Sequence, residues 1–209
     1  MRVLVVGLGK SGWAAIDLLR EQGAIVIASD SRPAHEIPGA RDRILAANIE
    51  FRTQSKGAFQ GVDLAVFSPG VPAEAAEGTG IPVIGELELA SHFLRGPVIG
   101  ITGSNGKTTT TSLVGHILKE CGIDAQVGGN IGTPPAAMIA TSKPERWNVL
   151  ELSSFQLETI RNFRARIGVC LNVTPNHLDR HGTVERYAAA KRRLFETQTA
   201  DDYAVLNAD

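Results

Sequence analysis

A run of small and hydroxyl-bearing residues around Lys107 is the part of the sequence best suited to carry chemistry. It follows the apolar segment 98–102 and comprises Gly103, Ser104, Asn105, Gly106, Lys107, Thr108 and Thr109. In such a loop backbone N–H groups surround a phosphate, the lysine reaches the β- and γ-phosphates, and the threonine after it ligates Mg²⁺. Ile101 replaces the first glycine of the strict GxxxxGK[ST] pattern, so a chance loop is the alternative. The run predicts a site for ATP and Mg²⁺.

A second glycine loop lies at the start of the chain. Gly7, Gly9 and Gly12 form a GxGxxG pattern between an apolar segment and a helix-like one, which would place a diphosphate at the helix N-terminus. Asp30 follows about twenty residues later, where an acid can bind a ribose. An NAD site, a site for another nucleotide and glycines needed only for packing all stay open. A dehydrogenase has no use for the Lys107 loop, so the two loops favour one phosphorylated substrate and one ATP.

The elements that must position both loops alternate between β-branched runs and helix-like segments, which indicates α/β architecture with parallel sheets. The pattern predicts strands at 3–6, 25–29, 62–67, 81–84, 98–102, 124–127, 148–152, 167–172 and 203–207. It predicts helices at 11–22, 86–94, 107–121 and 183–196. The turn Ser68-Pro69-Gly70 ends one strand at the carboxyl edge of its sheet. Helix 107–121 is expected to bury a stripe of Leu113, Val114, Ile117, Leu118 and Cys121.

The segment Arg95-Gly96-Pro97 interrupts this alternation, and the strand–loop–helix cycle restarts at Val98. We therefore predict a Rossmann-like parallel-sheet N-terminal domain over residues 1–95. A P-loop-type α/β central domain is predicted over residues 96–209. Because an α/β domain rarely ends directly after a strand, the central domain is expected to be truncated.

The composition fits a globular protein with no nucleic-acid and no membrane partner. The chain is 43% hydrophobic and 21% charged with a formal net charge of −1, so nothing attracts it to nucleic acid or to an anionic surface. No apolar run is long enough to span a bilayer, and the first one is too short for a signal peptide. Cys121 and Cys170 form no CxxC pair, which predicts buried, reduced thiols. We expect a cytoplasmic monomer.

Four further segments, taken in order, carry a resemblance to a known family. They are Gly128-Gly129-Asn130-Ile131-Gly132, Leu150-Glu151-Leu152-Ser153-Ser154-Phe155-Gln156-Leu157-Glu158, Asn172-Val173-Thr174-Pro175-Asn176-His177-Leu178-Asp179-Arg180-His181 and Tyr187-Ala188-Ala189-Ala190-Lys191. With the Lys107 loop, whose spacing the family shares, they resemble the Mur ligases. Segment 151–158 and the GxGxxG domain with Asp30-Ser31-Arg32 are most similar to the members that add D-glutamate to UDP-N-acetylmuramoyl-L-alanine.

The resemblance implies an ATP-dependent amide ligase of peptidoglycan precursor synthesis. ATP phosphorylates the carboxylate of UDP-N-acetylmuramoyl-L-alanine, and the amine of D-glutamate then attacks the acyl phosphate. The residues implied in substrate binding are Gly7, Gly9, Lys10, Ser11, Asp30, Arg32, Ser68, Gly70, Asn130, Ser153 and Gln156. In the family a third domain completes the ATP site, and nothing in this sequence resembles it. The chain alone is therefore expected to be inactive.

The resemblance also implies a small catalytic and metal-binding set. Lys107, His177 and Lys191 would be catalytic. Thr108 and Glu151 would hold one Mg²⁺, while His177 and Lys191 would take part in a second site. Because a lysine cation cannot ligate a metal, the resemblance implies that Lys191 is carbamylated.

Other interpretations of these residues stay open. His177 and His181 are four apart, as two zinc ligands on a helix can be, but no HExxH glutamate lies between them. By itself His181 is expected to be a surface or packing residue. Lys191 begins the basic run Lys191-Arg192-Arg193, which without the resemblance would predict a solvated face. For the whole chain the alternatives are a non-catalytic UDP-sugar or ATP-binding module and an NAD-dependent oxidoreductase.

Overall fold

The chain forms two five-stranded parallel sheets, one after the other in sequence. The computed structural model describes residues 1–208. The first sheet contains β1 (Arg2–Val6), β2 (Ile25–Asp30), β3 (Glu50–Thr53), β4 (Leu64–Phe67) and β5 (Val83–Gly85). The second contains β6 (Val98–Thr102), β7 (Ala125–Gly129), β8 (Trp147–Glu151), β9 (Ile167–Cys170) and β10 (Tyr203–Leu206). The helices are α1 (Lys10–Glu21), α2 (Ala40–Ala46), α3 (Glu86–Ser91), α4 (Lys107–Glu120), α5 (Pro135–Met138), α6 (Ser154–Leu157), α7 (Leu178–His181) and α8 (Val184–Arg192).

The first sheet has the strand order β3-β2-β1-β4-β5. β1 pairs with β2 on one side and with β4 on the other, so the winding of the chain reverses between β1 and β4. In open parallel sheets, ligands bind in the crevice beyond the carboxyl ends of two such strands. The GxGxxG loop after β1 and the turn Ser68-Pro69-Gly70 after β4 therefore meet at the position where a ligand site is expected.

The second sheet has the strand order β10-β9-β6-β8-β7, with β6 at its centre. β6 pairs with β8 on one side and β9 on the other. The loop that carries Lys107 follows β6, so it lies between the carboxyl ends of β8 and β9. Glu151 at the end of β8 and Asn172 just after β9 thus come to either side of this loop. The two parallel sheets confirm the predicted α/β fold class.

Alternate residues of β1 supply two separate cores, as a strand covered on both faces requires. Val3 and Val5 pack in the cluster that contains Ile16 of α1. Leu4 lies on the opposite face, in a cluster that contains Phe59. All four apolar residues that follow Arg2 in β1 are fully buried, which fixes the direction in which the strand delivers the glycine loop.

Two elements of the first half of the chain, β3 and α2, were not predicted from the sequence pattern. β3 is an edge strand whose residues are half-buried or exposed, so it lacks the apolar run that marks the other strands. α2 buries Ala40 and Ile44 only, and that pair is too short to show a helical period. The predicted helix 86–94 ends at Ser91, since the chain turns there toward the second sheet. Other strand bounds differ by one or two residues.

The predicted buried stripe of α4 is wrong for three of its five members. Leu113 and Ile117 are about half exposed, and Cys121 is exposed rather than buried. The buried residues of the helix are instead Thr111 and Gly115, which face the sheet. The approach is close: a Cβ on Gly115 would lie 2.2 Å from Val127 Cγ2. Residues 113 and 117 share a helix side that points away from this contact. Both cysteine thiols are free, and Cys170 is half-buried.

The interruption at residues 95–97 lies between the two sheets. That residues 1–95 and 96–209 form separate domains stays a prediction, and Asp209 lies outside the described residues. Over residues 1–208, no helix is long and apolar enough to cross a membrane.

Candidate functional site

A cleft of about 630 Å³ opens at the carboxyl ends of β1 and β4. It lies at the switch point of the first sheet, and one residue of the second sheet's half also reaches it. Of the residues predicted to bind substrate, the cleft brings together Gly7, Gly9, Lys10, Ser11, Asp30, Arg32, Ser68, Gly70 and Asn130. Ser153 and Gln156 do not line it. The cleft is therefore built mainly by the first sheet and closed on one side by Asn130.

The Asp30 carboxylate holds the glycine loop in place by accepting backbone hydrogen bonds. Its Oδ2 accepts a hydrogen bond from the Leu8 N–H at 2.8 Å, and its Oδ1 accepts from the Arg32 N–H at 3.1 Å and from Arg32 Nε at 3.3 Å. Burial alone would raise the pKa of Asp30, but these donors and the Arg32 charge outweigh it and hold the pKa below its usual range. The carboxylate is thus ionised and fixes both the loop and Arg32.

The glycine loop and α1 approach each other too closely for a side chain. A Cβ on Gly12 would lie 1.9 Å from the carbonyl oxygen of Gly7 and 2.9 Å from Ser68 Oγ. Ser68 Oγ donates a hydrogen bond of 2.7 Å to that same Gly7 carbonyl. Gly7 itself has φ of +90°, which favours glycine. The third glycine of the motif is therefore required by helix–loop packing.

The Lys107 loop is held in shape by Asn172, which sequence reasoning left without a role. Asn172 Oδ1 accepts hydrogen bonds from the N–H groups of Ser104 and Asn105, both at 2.9 Å. Lys107 Nζ donates to the carbonyl oxygens of Gly103 at 3.0 Å and Ser104 at 2.9 Å. Asn172 could have been found as a polar residue placed directly after the strand that neighbours β6.

Glu151 joins the Lys107 loop to the first cleft. It is 2% exposed, and its Oε2 accepts a hydrogen bond of 2.7 Å from Thr108 Oγ1. Its Oε1 accepts one of 3.0 Å from Asn130 Nδ2. Because Asn130 also lines the first cleft, the two sequence-predicted sites share a boundary. The carboxylate and the hydroxyl together form an oxygen-ligand pair of the kind that Mg²⁺ prefers.

Lys191 is buried, contrary to the solvated face that its basic run alone would predict. It is 2% exposed, since α8 turns it toward the loop, where Nζ donates to Thr102 Oγ1 at 3.2 Å and to the Gly103 carbonyl at 2.8 Å. Its Nζ also lies 4.5 Å from the centre of the Tyr187 ring. Burial, together with the charge of Lys107, lowers the pKa of Lys191 to about 8.

His177 lies near Lys191 but on a more exposed part of the site. It precedes α7 with φ of +52°, and its ring is 5.0 Å from the Phe155 ring and 6.3 Å from the Tyr187 ring. Tyr187 is thus close to both predicted ligands of a second cation. Across residues 1–208, no three His, Cys, Asp or Glu side chains converge on a metal position. A cation here would need hydroxyl, phosphate or carbamate oxygens.

The remaining predicted residues belong to the α6 cap. Ser153 Oγ accepts a hydrogen bond from the Gln156 N–H at 3.3 Å, and Gln156 Oε1 accepts from the Ser153 N–H at 3.0 Å. This reciprocal pair is a capping box. His181 is a packing residue: it is 5% exposed, with Nε2 2.9 Å from Ser154 Oγ and Nδ1 3.2 Å from Glu158. The roles of Ser153 and Gln156 in substrate binding stay predictions.

Comparison with known proteins identifies the family. The family described as Mur ligase middle domain matches residues 101–209, and that described as Mur ligase MurD-like, N-terminal domain, matches residues 1–85. The chain belongs to the Mur ligase family. This confirms the resemblance that the Lys107 loop and the four segments indicated.

Two curated relatives are similar along the whole chain. The UDP-N-acetylmuramoylalanine–D-glutamate ligase of Solibacter usitatus is 58% identical over 214 residues, covering 100% of this chain and 48% of that protein. The protein of the same name from Koribacter versatilis is 54% identical over 215 residues, again covering 100% of this chain and 48% of the relative. The chain therefore spans about half the length of the curated relatives it matches.

Solved structures share the fold at low sequence identity. The UDP-N-acetylmuramate:L-alanyl-γ-D-glutamyl-meso-diaminopimelate ligase of Neisseria meningitides has a TM-score of 0.62 at 19% identity, covering 99% of this chain and 71% of that chain. The UDP-N-acetylmuramate-alanine ligase MurC of Thermotoga maritima has a TM-score of 0.56 at 22% identity, covering 100% and 49%. These neighbours support the fold: two α/β units in the arrangement of Mur ligases.

Proposed function

We propose that this chain carries the substrate cleft and the nucleotide loop of an ATP-dependent ligase that adds D-glutamate to UDP-N-acetylmuramoyl-L-alanine. One observation carries the proposal: Asn130 lines the first cleft and also bonds Glu151, which bonds Thr108 of the Lys107 loop. A ligase needs its acyl substrate and its ATP to meet, and here their proposed sites share one side chain. Relatives 58% and 54% identical bear the corresponding name.

The first cleft would hold the UDP part of the substrate. The N-terminus of α1 and the GxGxxG backbone offer N–H groups to a diphosphate, with Lys10 and Arg32 as nearby cations. Asp30 would act mainly by holding the loop and Arg32 in place, because both of its oxygens already accept protein hydrogen bonds. Asn130 and Ser153 would lie nearer the reacting carboxylate.

The Lys107 loop would hold ATP, and its residues fit a bound Mg²⁺. Thr108 Oγ1 and the Glu151 carboxylate lie in direct contact and provide oxygen ligands. When bound, the cation would offset charge on the phosphoryl group during transfer to the substrate carboxylate. Lys107 would exchange its bonds to loop carbonyls for the terminal phosphates, and D-glutamate would then attack the resulting acyl phosphate.

Lys191 is proposed to be carbamylated, with His177 and the carbamate oxygens as ligands of a second Mg²⁺. The support is its place: the amine is buried within 3 Å of a loop carbonyl, close to where the terminal phosphates would lie. A lysine cation in that place repels a metal and competes with Lys107 for the phosphates, whereas a carbamate does neither. The lowered pKa of Lys191 leaves a larger neutral fraction to react with CO₂.

Binding of the UDP-sugar tests the proposed function directly. Calorimetric titration of residues 1–209 with UDP-N-acetylmuramoyl-L-alanine is expected to show binding. All residues that line the cleft, those of the first half and Asn130, belong to this chain. NAD serves as the control ligand. Binding of NAD without the UDP-sugar would contradict the proposal and favour the oxidoreductase alternative. Binding of the UDP-sugar to a chain that never binds ATP would favour a simple UDP-sugar module.

The carbamate can be detected directly. With ¹³C-bicarbonate at pH 8, we expect a carbamate carbon signal that depends on Lys191, and a weaker one at pH 6.5, where the amine is protonated. Surface lysines should contribute little, because a lysine amine in water keeps its proton at this pH and only the neutral amine reacts with CO₂. The N-terminal amine also forms a carbamate, so the readout is the difference from the natural chain: Lys191→Arg should remove one carbamate signal, while Lys119→Arg, at an exposed position of α4, should keep it. An unchanged spectrum in Lys191→Arg would refute carbamylation.

A further inference from the structure

Helix α3 carries two buried carboxylates that both bind the backbone of the second half of the chain. Glu86 and Glu88 are each 1% exposed. Glu86 Oε1 accepts a hydrogen bond of 2.6 Å from the Ala136 N–H at the start of α5. Glu88 accepts three more, from the N–H groups of residues 161 (2.8 Å), 162 (2.9 Å) and 163 (3.1 Å). One short helix thus takes up four backbone donors across the boundary between the two sheets.

The hydrophobic packing around α3 crosses the same boundary in both directions. Leu87, between the two glutamates, lies in the core of the second sheet with Leu150 and Phe163. Ala136 of α5 lies in the core of the first sheet with Ile16. Each half therefore inserts a residue into the other's core. This interdigitation restricts rotation of one sheet relative to the other more than a flat contact would.

The segment that connects the two halves, from Gly85 through α3 to Gly96, is closely packed against the second half. A Cβ on Gly85, just before α3, would lie 2.0 Å from Thr159 Oγ1. A Cβ on Gly96 would lie 2.2 Å from the Arg146 carbonyl oxygen. Gly85 thus permits direct contact between the two halves, and Gly96 lets the connecting segment lie directly against the backbone of the second half.

Glu86 is connected to the shared site through the short segment 130–136, whose turn is closed by a hydrogen bond of 2.9 Å from the Gly129 N–H to the Thr133 carbonyl. From Ala136, the chain runs back through Pro135 and Pro134, whose φ angles are fixed by their rings, toward Asn130. The Asn130 N–H donates a hydrogen bond of 2.8 Å to the Glu151 carbonyl, and its side chain donates to the Glu151 carboxylate. A displacement of α5 would therefore be transmitted to Asn130.

We propose that Glu86 and Glu88 are positioning residues that dock the second half of the chain on the first and thereby hold Asn130 between the substrate cleft and Glu151. The part of this inference that concerns substrate rests on the proposed function. Glu88 has three backbone donors and suits a fixed anion. Glu86 has one, and within the described residues its Oε2 is buried without a partner. Burial raises the pKa of Glu86 to about 7, against the single backbone N–H that lowers it.

Because the neutral acid is readily populated, glutamine should substitute for Glu86 while alanine should not. The probe is the side-chain amide signal of Asn130 in the NMR spectrum of residues 1–209, assigned by its loss in Asn130→Asp. We expect Glu86→Ala and Glu88→Ala to shift or broaden it, and Glu86→Gln to leave it unchanged. Val62→Ala is the control, because Val62 packs on the other face of the first sheet, in a cluster without second-half residues.

Binding provides the second readout. Asn130→Ala should weaken UDP-N-acetylmuramoyl-L-alanine binding about fivefold or more through a lost hydrogen bond. When Asn130→Ala is added to Glu86→Ala, the affinity for the UDP-sugar should fall no further. When it is added to Val62→Ala, the affinity should fall by the full fivefold or more.

The outcomes separate the two proposals. An unshifted Asn130 signal in both alanine variants would overturn the positioning role, as would an equal shift in Val62→Ala. If a variant with alanine at either position does not fold, Glu88→Gln, which keeps the shape but loses the charge, should still shift the signal, and an unshifted signal there overturns the role. Failure of the unmodified chain to bind the UDP-sugar would contradict the proposed function alone, since the NMR comparison needs no ligand.

Discussion

Replacing Gly12 by alanine is expected to lower the stability of the protein by about 3 kcal/mol or more. The added Cβ would lie 1.9 Å from the Gly7 carbonyl oxygen, and backbone on both sides cannot move aside cheaply. For a chain of 209 residues that unfolds as one unit, such a loss corresponds to a fall of roughly 6–12 °C in the midpoint of thermal unfolding, and to about twice that if residues 1–95 unfold separately. Circular dichroism at increasing temperature measures it.

The matched control for this variant lies in the same loop. Gly9 has φ of −79°, and a Cβ there would meet nothing within 4 Å, so Gly9→Ala should unfold within a few degrees of the natural chain. Its methyl group would nevertheless stand where a diphosphate must approach the backbone, so it should weaken binding of the UDP-sugar. A Gly12→Ala protein as stable as Gly9→Ala would show that the close approach of α1 to the loop is absent in solution.

Replacing Lys107 by alanine is expected to weaken ATP binding about 10- to 100-fold in the presence of Mg²⁺. A hydrogen bond to a charged group contributes about 1.5–3 kcal/mol, and Lys107 is held next to the loop backbone that is proposed to bind the phosphates. The folded state should lose little, because the partly exposed amine only replaces water on two loop carbonyls. Titration calorimetry with ATP measures the effect.

Lys10→Ala is the reciprocal control for the ATP experiment. Lys10 lines the first cleft, so its removal should weaken the UDP-sugar and leave ATP unchanged, whereas Lys107→Ala should do the reverse. Equal ATP affinity in the Lys107→Ala and natural chains would refute the nucleotide role of the loop. An oxidoreductase would be insensitive to the Lys107 substitution, so the pair also tests that alternative.

The α/β class and the positions of both loops were predictable because each depends on residues that are neighbours in sequence. A buried parallel strand followed by glycines and then a helix is a local pattern, and the sheet order places both loops at carboxyl strand edges without further information. β3 and α2 could not be predicted in the same way. Their few buried residues show no clear period, and pairing with β2 is what stabilises β3.

Which face of α4 packs against the sheet could not be predicted from the helix sequence either. Leu113 and Ile117 fit a helical stripe as well as Thr111 and Gly115 do, and hydrophobicity favours the former pair. The close contact of Gly115 with Val127 decides which side faces the sheet. That contact depends on how near the helix lies to β7, which no periodicity in the helix specifies.

What the sequence by itself determined is therefore the set of chemical groups and the local loops that present them: two glycine loops, Lys107, and acids at strand ends. The tertiary structure decided which of these groups meet. Asn130 and Glu151 bond across 21 residues of chain, Thr108 and Glu151 across 43, and Lys191 and Gly103 across 88. Closing such long loops costs conformational entropy, which is offset only when both sheets are formed and α3 is packed between them. The geometry of these contacts therefore follows from the packing of the whole molecule.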